Sequence, residues 1–359
     1  MSCSIEKENE QSKELRNEDL SKTKSNLYKD DLSNNSNKTT KLDMKSIEKK
    51  MQNVPKLMIY GKELKIMLNC DDEFKKKAEN ELRETPELVA ESLKIIRELV
   101  KGDENLVIPD LDEFYIKFLR PCKWYPNSAF HLIQRYYKFF INYPFLKEKF
   151  TLFDLKNAVS SELIVPLPVR CNDGSRLILI HGGSKWKPKE YYIYDMFKCI
   201  MFMFEGIIIE PPTQIAGIQV IFDMNGLPFS HVTHVTPKFA AMTADWVQRS
   251  FPSRLKNIHI INQPYIFNMI FTIFKPFLSE KLRNRIHFHG TNREKLINIV
   301  GEEALPKEYG GSDLSIGPIG ESFWQYFYYW NEEFEGNSHL FLFINIIYII
   351  SMRLNVIFF

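Results

Sequence analysis

From about residue 152 onward the chain alternates between short apolar runs and helix-like segments, and this order restricts the possible folds more than any other feature. The pattern predicts a hairpin around Gly182-Gly183. It then predicts, in order, a strand over 215–222, a helix over 237–247, a strand over 256–262, a strand over 285–289 and a helix over 292–300. Nearly continuous apolar strands are typical of a sheet that is covered on both faces. The order therefore predicts an α/β fold with a mainly parallel sheet and right-handed crossovers.

Helical periodicity dominates the preceding region. An apolar face repeats at helical spacing from Leu88 and stops at Gly102, and a broad apolar stripe predicts a last helix over 126–143. The sequence thus predicts a helical N-terminal domain over 71–150, followed by an α/β domain over 152–313.

The two ends of the chain differ in composition from the rest. Residues 1–55 are rich in Ser, Asn, Lys and Glu, which predicts a disordered polar tail. Residues 314–335 predict a C-terminal helical segment, and residues 336–359 form an atypical apolar tail. A membrane anchor needs about 20 apolar residues, and this tail reaches that length only by including Asn345, Arg353 and Asn355. We interpret the tail as an atypical or misread terminus in preference to an anchor.

Composition argues against several functional classes. The formal net charge of +2 gives no general reason to expect nucleic acid as a partner. The five cysteines are far apart and form no C-x-x-C pair, which argues against a zinc or dithiol site and suits a reducing cytosol. The N-terminus shows no apolar leader segment, so we expect a cytoplasmic protein.

Enzyme motifs are also missing. Neither G-x-S-x-G nor the phosphate-binding G-x-x-x-x-G-K-S/T pattern occurs. The loop from Cys171 to Arg176 resembles a cysteine-phosphatase loop only superficially, because its arginine is one residue too near. We interpret the histidines of the pairs His231/His234 and His287/His289 as structural, since no third ligand accompanies either pair. The sequence predicts no catalytic residue, no metal site and no cofactor.

One segment points to a function. Residues 266–274 are almost entirely apolar, too short to span a bilayer and too apolar for an ordinary surface helix. Arg254 and Lys256 precede this segment, and Lys281, Arg283 and Arg285 follow it. An apolar element beside cations suits a protein that takes up a lipid at an anionic membrane surface.

Several motifs together resemble the CRAL-TRIO lipid-transfer family, over almost all of residues 71–333. They are Phe118-Leu119-Arg120, the runs 217–223 and 229–231, Ser250-Phe251-Pro252, the run 258–264, Lys275-Pro276-Phe277-Leu278 and the run 305–311. The sequence is most similar to the branch of the tocopherol and retinaldehyde carriers. The resemblance implies a cytosolic carrier without chemistry of its own, which is peripherally and reversibly associated with membranes and has an internal apolar cavity closed by a mobile helical lid over 264–278.

The resemblance also assigns roles to individual residues. It implies that the cavity for the hydrophobic ligand is lined by Ile218, Phe222, Leu227, Phe229, Val247, Phe251, Leu255, Ile258, Ile266 and Ile270. It implies that a phosphoinositide headgroup is bound by Arg120, Arg254, Lys256, Lys281 and Arg285. The predicted partners are therefore a hydrophobic small molecule, which is tocopherol-, retinoid- or phospholipid-like, and phosphoinositides on an anionic membrane surface.

Two alternatives to the carrier follow from the same residues. The cation cluster would also suit a membrane-recruited signalling or scaffold module that senses phosphoinositide without moving cargo. A lipid-modifying enzyme would require a nucleophile and a base, and the sequence offers no such pair.

Overall fold

The described part of the chain begins with a short hairpin. The computed structural model describes residues 53–106, 108–146 and 152–329, so the predicted apolar tail and nearly all of the predicted polar tail lie outside these ranges. The hairpin joins β1 (Met58–Ile59) to β2 (Lys62–Glu63) in antiparallel register. Leu57, Ile59 and Leu64 are buried against the rest of the protein.

Four helices form the predicted N-terminal helical region: α1 (Asp72–Leu82), α2 (Pro86–Lys101), α3 (Asp112–Leu119) and α4 (Pro126–Asn142). The side chain of Asp71 accepts a hydrogen bond from the Phe74 N–H and caps α1, and Thr85 caps α2 in the same way. Gly102 ends α2, as its position in the sequence predicts.

A five-stranded sheet forms the centre of the second region. After α5 (Leu152–Ser160) come β3 (Ile164–Pro166), β4 (Arg176–Ile180), β5 (Ile218–Asp223), β6 (Leu255–Ile261) and β7 (Ile286–Gly290). The strands lie side by side in chain order; β3 and β4 are antiparallel and every later pair is parallel. The predicted mainly parallel α/β fold is therefore confirmed.

The crossovers between parallel strands supply the helices of the second region. They contain α6 (Ile193–Ile207), α7 (Pro211–Ala216), α8 (Phe229–Val232), α9 (Pro237–Asp245), α10 (Phe267–Phe274) and α11 (Glu280–Arg283), and α12 (Glu294–Val300) and α13 (Gly320–Tyr328) follow the sheet. When parallel strands are added in one direction across a sheet, right-handed crossovers place all the connecting segments on the same face of that sheet. Within the described residues no helix has the length and apolar character needed to cross a bilayer.

Two local predictions from the sequence are corrected. The hairpin lies before β4, between β3 and β4, and not at Gly182-Gly183. Gly183 instead passes so close to Asn225 that a Cβ atom there would lie 2.2 Å from the Asn225 carbonyl oxygen. The predicted strand over 215–222 begins only at Ile218, because residues 211–216 form a helix that ends at Gly217 with φ of 93°.

One face of β5 and β6 is apolar and includes Phe222 and Ile258. The opposite face of the sheet carries a connected set of polar side chains. Gln219 Oε1 lies 3.0 Å from His259 Nε2 and accepts a hydrogen bond of 3.1 Å from Asn257 Nδ2. His259 Nδ1 lies 3.0 Å from His289 Nε2, and His287 Nε2 lies 3.0 Å from Asn257 Oδ1. His287 and His289 thus each have a hydrogen-bond partner inside the fold.

This histidine cluster predicts that the protein loses stability in mild acid. Burial, followed by the charges of His289 and His287, lowers the pKa of His259 to about 3. A histidine whose folded pKa is depressed contributes stability above its unfolded pKa of about 6.5 and loses it as the pH falls towards the folded value. For the fully buried His259 we expect a loss of about 1.4 kcal/mol of unfolding free energy per pH unit in that interval.

Urea unfolding at a series of pH values tests this expectation. The variant His259→Gln should show a shallower decline of unfolding free energy with acidification, because one titrating group is gone. His131→Gln is the matched control, since His131 is exposed on α4. Equal slopes for the His259→Gln variant and the parental protein would contradict the assignment.

Candidate functional site

The candidate ligand site begins with the apolar face of β5 and β6. The register pairs Val220 with Ile258 and Phe222 with Ile260, so Ile218 and Phe222 share a face with Ile258. Phe222 and Ile258 lie on interior strands of the sheet, yet both side chains are only partly buried. Neighbouring strands cover their flanks, so the accessible area of these two side chains opens above the sheet.

Helix α10 lies over this same face. Its Phe267 and Phe271 rings lie 6.3 and 5.1 Å from the ring of Phe288. Phe288 pairs with Ile260 in the register of β6 and β7, which puts its side chain on the apolar face. The segment predicted as a lid therefore forms a helix and covers part of the predicted ligand-binding face; its movement stays a prediction.

Most of the other predicted lining residues lie in the interior of the protein. Those that are buried are Leu227, Phe251, Leu255 and Ile270, and those that are partly buried are Val247 and Ile266. The Phe251 ring packs against Trp246 at 4.7 Å and Phe204 at 5.8 Å between centroids. Sequence reasoning missed this aromatic wall. A sequence signal for this wall is present on α6, where Phe197 and Phe204 are seven residues apart and so share a helix face. Both rings contact Trp246.

Phe229 differs from its predicted role. It opens the short helix α8 after Pro228, and 62% of its surface is exposed. It belongs instead to a group of large exposed apolar side chains on or near α10. The other members of this group, which we call the apolar rim, are Tyr265, Met269, Phe277 and Phe288. Exposed apolar side chains grouped in this way are typical of a membrane or protein contact.

The predicted cations of β6 and β7 meet at one edge of the sheet. Arg254 directly precedes β6 and Arg285 directly precedes β7, and the Ile258 N–H donates a 2.8 Å hydrogen bond to the Arg285 carbonyl. Burial and the nearby charge of Arg254 lower the pKa of Arg285. Lys256 lies inside β6, and Lys281 is exposed on α11 just before β7. The structure thus places Arg254, Lys256 and Arg285 at the amino edge of the parallel strands and Lys281 on the helix that leads to β7; we call these four residues the cation edge.

Arg120 occupies a different environment. Its guanidinium is buried and pairs with the Glu84 carboxylate through Nη2 at 2.7 Å and Nε at 3.0 Å. Its Nη1 donates to Gln214 Oε1 at 2.7 Å. Gln214 adjoins Ile215, whose carbonyl accepts a hydrogen bond from Arg254, so Arg120 lies next to the cation edge but is directed into a buried ion pair.

The superficially phosphatase-like loop has a structural role. Burial raises the pKa of the Cys171 thiol to about 12, so it does not supply a thiolate nucleophile at neutral pH. The Arg176 guanidinium binds the buried Glu210 carboxylate at 2.7 and 3.1 Å. Glu210 also accepts hydrogen bonds from Arg170 and from the Met67 N–H, which fixes the segment after the N-terminal hairpin to the sheet region.

Comparison with known proteins identifies the family. The family model described as "CRAL/TRIO domain" matches residues 161–311. The human "Alpha-tocopherol transfer protein-like" is 32% identical over 237 residues, which cover 66% of this chain and 69% of that protein. "Clavesin-2" of Rattus norvegicus is 30% identical over 239 residues, which cover 66% and 72%. The crystal structure of Sfh5 aligns with a TM-score of 0.41 at 14% identity, covering 72% of this chain and 98% of that one. The chain belongs to the CRAL/TRIO family.

Proposed function

We propose that this protein is an intracellular carrier, which binds a hydrophobic small molecule in an internal cavity and exchanges it at phosphoinositide-containing membranes. The observation that carries this proposal is the partial exposure of Phe222 and Ile258 on interior strands, on the sheet face where α10 contacts Phe288. An enclosed apolar site with a helical cover is what a carrier of water-insoluble molecules requires. The family membership supports the same conclusion.

The cargo class is a tocopherol-, retinoid- or phospholipid-like molecule. The name of the human relative, "Alpha-tocopherol transfer protein-like", supports a cargo of this kind. Burying a dozen methylene groups contributes on the order of 10 kcal/mol at about 0.8 kcal/mol each, so release into water alone would be very slow. The carrier therefore needs a membrane to trigger release.

The rim and the cations supply that trigger. Lys281 and Arg285 lie between the rim residues Phe277 and Phe288 in the segment from the end of α10 to β7, so cationic side chains are flanked by apolar ones there. In the proposed mechanism the cations contact anionic headgroups while the rim enters the interface, and α10 moves away from the apolar face. Ligand then exchanges with the bilayer, and the protein returns to the cytoplasm.

The sensing module without cargo is the second candidate function, and the cation edge supports it equally. The two candidates differ in whether the space above Phe222 and Ile258 holds a ligand. A module that only senses phosphoinositide would have no need for accessible apolar area on interior strands.

Native mass spectrometry of protein purified from cytosol tests the carrier proposal. We expect a co-purified apolar molecule that dissociates on denaturation. We also expect faster transfer of a fluorescent hydrophobic ligand between vesicles when the acceptor vesicles contain phosphoinositide. Protein that binds such vesicles but neither contains nor transfers any ligand would contradict the carrier and favour the sensing module.

A further inference from the structure

A carboxylate of the helical region lies among the cations of the proposed headgroup site. Glu81, in the last turn of α1, accepts a hydrogen bond of 2.8 Å from Arg254 Nη2, and its Oε2 atom lies 3.4 Å from Lys256 Nζ. Its other oxygen lies 2.8 Å from Lys77 Nζ, one turn earlier on α1. One carboxylate therefore contacts three cations, and two of these are predicted headgroup ligands.

Glu81 stays charged in every cellular compartment. Although burial opposes it, the hydrogen bonds from Lys77 and Arg254 lower the pKa of Glu81 to about 2. Acidification in a cell will therefore not release the carboxylate. Its side chain is 32% exposed, so a competing anion can reach the same cations from solvent. Because three cations stabilise this carboxylate, only an anion that makes the same contacts can displace it.

We propose that Glu81 is an internal counter-anion, which occupies part of the headgroup site and makes the site selective for phosphate monoesters over singly charged lipid headgroups. This inference rests on the proposed function, because it concerns the same cations. A phosphate monoester carries a charge of about −1.5 to −2 and three acceptor oxygens, so it replaces every contact that Glu81 makes. A singly charged headgroup such as phosphatidylserine brings no more net charge than the carboxylate it must displace.

The position of Glu81 on α1 gives its displacement a structural consequence. Arg254 is held between the Glu81 carboxylate of α1 and the Ile215 carbonyl of α7. When phosphate takes the place of Glu81, this link between the helical region and the start of β6 is lost. Headgroup binding thus loosens one of the contacts by which α1 holds the sheet region.

The variant Glu81→Gln tests the inference by removing the charge while keeping the side-chain shape. Binding is measured to phosphatidylcholine vesicles that contain either phosphatidylinositol bisphosphate or phosphatidylserine at equal total negative charge. We expect the affinity for phosphatidylserine vesicles to rise on the order of tenfold and that for bisphosphate vesicles to rise less, so the selectivity falls. Free inositol trisphosphate, titrated in solution, separates recognition of the headgroup from recognition of the membrane surface.

Glu79→Gln is the matched control, because Glu79 is exposed on the same helix and its replacement makes the same change in net charge. A general electrostatic effect would raise binding to both vesicles equally in both variants. If the Glu81→Gln and Glu79→Gln variants show the same selectivity between the two vesicle types, the inference is overturned and the proposed function is left intact. A parental protein that binds neither vesicle nor inositol trisphosphate would overturn the proposed headgroup site itself. Thermal unfolding, and the second variant Glu81→Ala, guard against an effect of misfolding.

Discussion

Replacing Arg254, Lys256, Lys281 and Arg285 together by alanine should weaken recruitment to phosphoinositide vesicles by on the order of a hundredfold or more. Each cation close to an anionic membrane surface contributes about 1 kcal/mol, and these four lie at or just before the amino ends of β6 and β7. Vesicle co-sedimentation and the rate of ligand transfer should fall together. Equilibrium binding of the hydrophobic ligand in solution should barely change, because the apolar face of β5 and β6 keeps its side chains.

The control for this variant removes four positive charges elsewhere. Suitable residues, all exposed in the structure, are Lys62, Lys94, Lys101 and Lys138. Their replacement by alanine should reduce recruitment far less, since non-specific attraction depends on net charge whereas a headgroup site depends on convergence. Thermal unfolding of both variants checks that the fold is retained. Transfer at the parental rate in the first variant would refute the membrane trigger and leave only a passive pocket.

Introducing a carboxylate at Phe222 or Ile258 should abolish binding of a hydrophobic ligand. Each of the variants Phe222→Asp and Ile258→Asp places an unpaired charge where only alkyl or ring atoms are compatible, and burying such a group costs several kcal/mol. We therefore expect a loss of affinity of about a hundredfold or more for a fluorescent apolar ligand. The two residues lie on the same face of neighbouring strands, so both variants should have the same effect.

Conservative variants separate loss of the pocket from loss of the fold. Phe222→Leu and Ile258→Val keep an apolar lining and should bind with affinities close to the parental value. Ile258→Trp adds no charge but fills space above the sheet, and it should weaken ligand binding by steric exclusion. Folded aspartate variants that bind with parental affinity would show that the ligand lies elsewhere.

Much of the fold could be predicted from local patterns in the sequence. Apolar runs of strand length that alternate with helical periodicity predicted the parallel sheet, because a crossover helix is the ordinary way to join parallel strands. The same reasoning placed Arg254 and Arg285 together, since residues that open adjacent parallel strands meet at one edge. Local signals failed where the chain passes close to itself. Gly183 looked like a hairpin glycine, but its lack of a side chain is needed to approach Asn225.

The candidate site was predictable in part for the same reason. Residues on regular strands, such as Phe222 and Ile258, have a face that follows from period-two alternation. Phe229 lies beyond a strand end, where no period predicts direction, and its side chain is exposed. Arg254 pairs with Glu81, which lies in α1, and Arg120 pairs with Glu84, which follows α1. No spacing in the sequence links these glutamates to those arginines.

The sequence by itself therefore determined the order of the elements, the parallel sheet, the apolar helix α10 and the edge at which the cations of β6 and β7 meet. Each of these follows from periodicity and from the geometry of neighbouring strands. Only the tertiary structure decided which cations are already paired and with what. That depends on how the helical region packs on the sheet region, and contacts such as Glu81 with Arg254, 173 residues apart, are set by packing and not by local pattern.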